Sequence, residues 1–134
     1  MNKNKPTERS REITQRYFSL LDKHLAEIVS GQADEMLKLN QIASELSISH
    51  THLSDTIQQT TGHSPCYFYD LKIIEQAKML LTTTDRSVSE IAWLLTYDPS
   101  NFSKFFKKLT GQTPGNYRDE QKTNRSHLPK SSPL

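Results

Sequence analysis

An all-α fold, two helix-turn-helix units joined by a long connecting helix, is predicted by three features of this sequence. Apolar residues recur at three- and four-residue steps, the period of one helical face. The chain matches itself at an offset of 49 residues without a gap over about 30 positions. Only four Gly and six Pro interrupt its 134 residues, while the apolar fraction is a modest 34%, so a thin core spread over long amphipathic helices is expected.

The first helix, about 11–30, follows from Ile13, Tyr17, Leu20, Leu21, His24, Leu25 and Ile28 on one face, with Gly31 as its stop. The repeat then begins. Ile42-Ala43 falls on Ile91-Ala92, Leu46 on Leu95, Ile48 on Tyr97, Leu53 on Phe102, Ile57 on Phe106, Thr61-Gly62 on Thr110-Gly111, Pro65 on Pro114 and Phe68 on Tyr117. Each copy reads as a short helix (about 40–46 and 88–95), a tight turn, and a longer helix (about 50–60 and 99–109) ended by Gly62 or Gly111. Small Ala43 and Ala92 allow close helix packing, Ile48 and Tyr97 plug the turn, and Leu53/Ile57 and Phe102/Phe106 form the inward stripes.

Capping chemistry agrees. Ser49 and Asp98-Pro99 start the longer helices, and Ser87 with Glu90 has capping-box spacing. Ser64-Pro65 starts the connecting helix, about 65–82, with Leu71, Ile74, Ala77, Leu80 and Leu81 expected to be buried; Thr113-Pro114 starts a short last helix, about 114–121. Residues 1–9 and 123–134 lack periodicity and are read as mobile tails around a domain at 10–122.

Composition excludes several classes. The chain is too short for a barrel enzyme or a two-domain dehydrogenase, and it offers neither an 18-residue apolar run nor an apolar leader, which makes a cytoplasmic address the expectation and a membrane partner unexpected. One cysteine, Cys66, excludes an intrachain disulfide framework and four-thiolate zinc sites. His63 and Cys66 have no second pair, and His50 and His52 point to different sides of a helix, so no metal is expected. Trp93 is read as a partly buried packing residue. No phosphate loop, nucleophile elbow or paired carboxylate constellation appears, so neither an enzyme nor a cofactor is expected.

Charge is uneven. Residues 86–134 carry eight Lys and Arg against four Asp and Glu, whereas residues 40–85 carry two against five. A basic third can attract phosphate even though the net charge is only +2. On the second longer helix, Ser100, Asn101 and Lys104 should face outward toward base edges, with Lys107 and Lys108 one turn on toward phosphate. On the first, the outward set is His50, Thr51, Ser54, Asp55 and Gln58, which has no Lys or Arg. A plain helical bundle or a solvated basic face is the competing reading of the same residues.

The ordered motifs resemble the DNA-binding domain of the AraC/XylS family of transcription regulators. They are Asn40-Gln-Ile-Ala-Ser-Glu-Leu-Ser-Ile-Ser49, Leu53-Ser54, Thr61-Gly62-His-Ser-Pro65, Glu75-Gln-Ala-Lys-Met-Leu-Leu81, Ser87-Val-Ser-Glu-Ile-Ala92, Asp98-Pro-Ser-Asn-Phe-Ser-Lys-Phe-Phe-Lys107, Gly111-Gln-Thr-Pro114 and Tyr117-Arg118. The resemblance covers about 35–120. It implies a sequence-specific DNA-binding regulator, an activator, placing two recognition helices in successive major grooves of double-stranded DNA, with RNA polymerase as a second partner. A protein-interaction module that kept the fold and lost strong DNA affinity is the alternative. The first 39 residues are too few for a sensor domain, so no small-molecule ligand is expected within this chain; a polar lead-in after Met1 favours a free-standing regulator over the C-terminal part of a longer one.

Three positions depart from the family pattern. The second turn is one residue shorter and has Thr96 where the family has Gly, a change expected to strain the backbone or rotate the second recognition helix. An Arg of the connecting helix is replaced by Ile73, with Lys72 beside it. The first recognition helix lacks cations and carries Asp55.

Overall fold

The computed structural model describes residues 7–127, which form seven helices and no strand. They divide into two compact units, the first ending at Ile73 and the second beginning at Ile74.

In the first unit, α1 (Glu8–Ser30) starts where the Thr7 hydroxyl accepts the Ser10 N–H at 3.0 Å and ends at Gly31, whose φ of 85° only glycine adopts without penalty. Its Ile13, Tyr17, Leu21, Leu25 and Ile28 are buried, and the helix packs on α3 (His50–Thr61). The short α2 (Leu39–Glu45) also packs on α3 through buried Ile42 and Ala43. Ser49 caps α3 by accepting the His52 N–H at 3.0 Å. The start of α4 (Pro65–Thr83) is pinned to α1 by the buried Tyr17 hydroxyl, which donates to the Pro65 carbonyl at 2.7 Å. Leu37, just before α2, is held from two sides: its N–H donates to His24 Nε2 at 3.0 Å, and its carbonyl accepts from the Tyr69 hydroxyl at 2.8 Å.

The second unit contains the rest of α4, α5 (Val88–Leu94), α6 (Pro99–Thr110) and α7 (Pro114–His127). Ser87 and Glu90 close a reciprocal capping box at 3.0 and 2.7 Å, which holds the Glu90 carboxyl below its ordinary pKa because it accepts the Ser87 N–H. Phe102 and Phe106 are fully buried, and the Phe106 ring meets Tyr117 edge-on at 5.6 Å. The Arg118 guanidinium donates to the Leu81 and Thr84 carbonyls at 2.9 and 3.2 Å, satisfying acceptors that the end of α4 would otherwise leave open.

The two turns are the same device. Leu46 and Leu95 donate to Ile42 and Ile91 at 3.1 and 3.0 Å, Ser47 and Thr96 to Ser44 and Trp93 at 2.9 Å each, and Ile48 and Tyr97 to Ala43 and Ala92 at 3.0 and 2.8 Å. This six-to-one bonding needs a left-handed residue, supplied by Ser47 at φ 62° and Thr96 at φ 70°. The shortened second turn therefore reproduces the first and is strained at Thr96, as its β-branched side chain requires. Helix ends match too: Thr61 and Thr110 each donate a hydroxyl to the carbonyl four residues back, at 2.6 and 2.8 Å, and accept the N–H two residues on.

Four expectations need correction. Leu71 is 38% exposed, because it lies three residues before Ile74, itself at the edge of the buried stripe; Tyr69 and Ile73 fill the inward positions instead. Trp93 is 62% exposed, since the seven-residue α5 spends its inward face on Ile91 and Ala92. Leu20 is only half-buried. The first helix begins at Glu8 rather than 11, and the last continues past 121 to His127, so residues 8–9 and 123–127 of the expected tails are helical; residues 1–6 and 128–134 lie outside the described ones.

Candidate nucleic-acid interface

The outward face of α6 is fixed by what its inward face buries. With Phe102 and Phe106 inward, Lys107, Ser100, Lys104, Lys108 and Asn101 follow one another across an arc of about 120° at 3.6 residues per turn, with Lys104 near its middle. All five are exposed. Among the described residues none of the three lysines has an ion-pair partner, so their charge is uncommitted. Asp98 forms no ion pair with them among the described residues; its Oδ2 accepts the Ser100 and Asn101 N–H groups at 3.0 and 3.4 Å. Lys107 and Lys108 also sit in the last turn, where the helix dipole favours cations.

On α3 the offset of 49 places Thr51, His52, Asp55, Gln58 and Gln59 where α6 has Ser100, Asn101, Lys104, Lys107 and Lys108. All five are exposed, and the inward stripe is Leu53, Thr56 and Ile57. Of the sequence-derived set, Thr51, Asp55 and Gln58 share this outward arc, whereas His50 is exposed at the first residue of the helix on its flank and Ser54 is half-buried. His52 and Gln59 were missed by the sequence reading, and the signal that finds them is the repeat itself, carried from Asn101 and Lys108. The same position that holds a free ammonium in α6 holds a carboxylate in α3, and Asp55 has no hydrogen-bond or ion-pair partner among the described residues.

Among the described residues no three His, Cys, Asp or Glu side chains gather to hold a metal ion. His63 stacks on Tyr67 at 4.0 Å between ring centroids, and Cys66 is exposed. Two groups shift for structural reasons: burial foremost, then Cys66, Tyr69 and Asp70, raises the Tyr17 hydroxyl, and burial lowers His24 against the opposing pull of Glu27.

A family profile described as a helix-turn-helix domain, of the AraC/XylS type, matches residues 42–120, which contain both turns and both outward faces. The chain belongs to that family. Its members here are transcription regulators and not enzymes. The chain is 32% identical over 107 residues to the uncharacterised HTH-type transcriptional regulator YtdP of Bacillus subtilis, covering 79% of this chain and 14% of that protein. A regulator of Staphylococcus aureus is 32% identical over 88 residues, 65% of this chain and 12% of the relative. The chain thus spans a small fraction of the length of the curated relatives it matches. Among solved structures, the C-terminal domain of AraT, a response regulator from Geobacillus stearothermophilus, superposes with a TM-score of 0.70 at 31% identity, over 81% of this chain and 84% of that one. The DNA-binding domain of AdpA, solved in complex with a target DNA, shares the fold at a TM-score of 0.66 and 23% identity, over 81% and 97%.

Within the family frame, the departure at Ile73 has a local explanation. Ile73 is buried, and the cation beside it is Lys72, whose Nζ lies 2.7 Å from Asp22 Oδ1 and 5.7 Å from the Phe18 ring centroid. No helix among the described residues is long and apolar enough to cross a membrane.

Proposed function

We propose that this domain binds double-stranded DNA sequence-specifically, each recognition helix entering one of two successive major grooves, with α6 as the electrostatic anchor. The observation that carries the reading is the outward face of α6, where three uncommitted lysines flank Ser100 and Asn101. Lys104 donates to guanine acceptors and Asn101 pairs with adenine, while Lys107 and Lys108 neutralise phosphate. His50, Thr51, Ser54, Asp55 and Gln58 on α3 form the second reading surface. AdpA's domain, of the same fold, is described on its target DNA. Activation through RNA polymerase and a nucleoid-associated, cytoplasmic address complete the proposal and come from the family resemblance.

Fluorescence anisotropy with promoter duplexes from the source genome tests it. A promoter should bind more tightly than its scrambled counterpart, with affinity falling as salt rises, by about 0.9 in the logarithmic slope for each phosphate neutralised. Equal and salt-insensitive affinity for both would overturn the reading in favour of a protein-interaction module.

A further inference from the structure

We infer that the two units read opposite members of a G·C pair at equivalent positions, so that the target presents cytosine to Asp55 where it presents guanine to Lys104 and is not a direct repeat. The inference rests on the DNA-binding reading above and deepens it.

Its ground is a charge reversal on one backbone. The turns preceding α3 and α6 share the same three hydrogen bonds, and each helix is capped by a side chain that accepts N–H groups of its first turn. Each helix buries its fourth and eighth residues, Leu53/Ile57 and Phe102/Phe106. Position for position, the outward side chains therefore leave their helices in the same directions. Asp55 and Lys104 occupy the same place, both exposed and both without an intramolecular partner among the described residues.

The chemistry then separates them. A lysine ammonium is donor-only and finds O6 and N7 on the major-groove edge of guanine. An aspartate carboxylate is acceptor-only. Against guanine or the O4 of thymine it meets another acceptor, whereas the cytosine N4 amino group donates to it. Phosphate repels a carboxylate, so nothing in the DNA backbone rewards Asp55; selection there acts as much by rejecting acceptor edges as by accepting the amino group. Adenine N6 also donates, but its neighbouring N7 is an acceptor that opposes the second carboxylate oxygen, which leaves cytosine as the favoured base. His52, in the place of Asn101, lies three residues before Asp55 on the same outward arc.

The test is selection of bound duplexes from a randomised pool with the wild-type chain, Asp55→Ala, Asp55→Lys and Lys104→Ala, each checked for native helicity by circular dichroism. Wild type should enrich a motif with guanine lost only in Lys104→Ala and cytosine lost only in the two Asp55 variants, the preference at each pair falling roughly 5- to 150-fold. Asp55→Lys should replace that cytosine by guanine. If a motif is enriched and Lys104→Ala relaxes one position while both Asp55 variants leave every position unchanged, the inference is overturned and DNA recognition stands. If wild type enriches no motif, the functional reading itself has failed and this inference with it.

Discussion

The two helix-turn-helix units use the same framework to present opposite surfaces. Inward residues, left-handed turn residues and helix ends correspond at 49 residues' distance, down to the threonine hydroxyl that closes each recognition helix. Outward, Asp55, Gln58 and Gln59 stand against Lys104, Lys107 and Lys108. The comparison teaches that the residues that hold the fold and the residues left free to meet a partner lie on different faces of the same helices. Burial constrains one face strictly, because a core stripe tolerates little change in size or polarity. The other answers only to what it touches.

The largest expected effect tests the shared framework. Phe106→Ala removes a fully buried ring and should destabilise the second unit by about 3–5 kcal/mol, and Ile57→Ala at the matching position of the first by about 2–5 kcal/mol. Unit-resolved hydrogen exchange would check both. A loss under about 1 kcal/mol at either would mean that the matched stripes do not carry matched weight.

Next comes the face on which the units differ. Lys104→Ala should cost about 1–3 kcal/mol on the specific duplex and little on a scrambled one, whereas Lys107→Ala should weaken both alike. Competition binding with the two duplexes separates these outcomes.

The turns offer a gain. Thr96→Gly relieves a β-branched residue held at φ 70° and should stabilise the chain by about 1 kcal/mol in urea unfolding, with a smaller gain for Ser47→Gly at φ 62°. A loss in either variant would contradict the strain assigned there.

The smallest effect separates the units by pH. Burial lowers the pKa of His24, whose Nε2 must stay unprotonated to accept the Leu37 N–H. The unfolded chain therefore takes up the proton at higher pH than the folded one. This contribution is fully present above about pH 6.5 and is lost as pH falls below that toward the lowered folded value. Hydrogen exchange compared between about pH 7.5 and about pH 5.5 should show protection falling, after correction for intrinsic rates, in the first unit more than in the second. His24→Gln should flatten the difference.

How much of this was legible in the sequence depends on where the information sits. The seven helices, the caps at Ser49, Ser87 and Asp98 and both inward stripes could be read because capping residues and apolar spacing are local signals, whereas the caps at Thr7 and Lys38 were not. Leu71 was misplaced because a step of three residues satisfies the helical period while landing outside the stripe that Ile73 and Ala77 define. Trp93 was misplaced because hydrophobicity alone does not tell which face a seven-residue helix buries. The last turns of α7 were missed because Thr123 to His127 carry no apolar periodicity. The shortened turn was seen, but its outcome was not: the bonding of Thr96 and Tyr97 repeats that of Ser47 and Ile48, which only the backbone reveals. Of the candidate site, the outward sets follow from the helical period, whereas His52 and Gln59 carry no local signal and emerge only from their place 49 residues before Asn101 and Lys108.

The central claim, that α6 supplies the electrostatic anchor and α3 reads without one, is tested most directly by the salt dependence of binding to one specific duplex. Replacing Lys104, Lys107 and Lys108 together by Ala should reduce the logarithmic slope by about two to three, while replacing Thr51, His52 and Asp55 together by Ala should lower specific affinity and leave the slope within about one unit of wild type. A slope that is unchanged in the lysine variant, or that collapses in the α3 variant, would contradict the account.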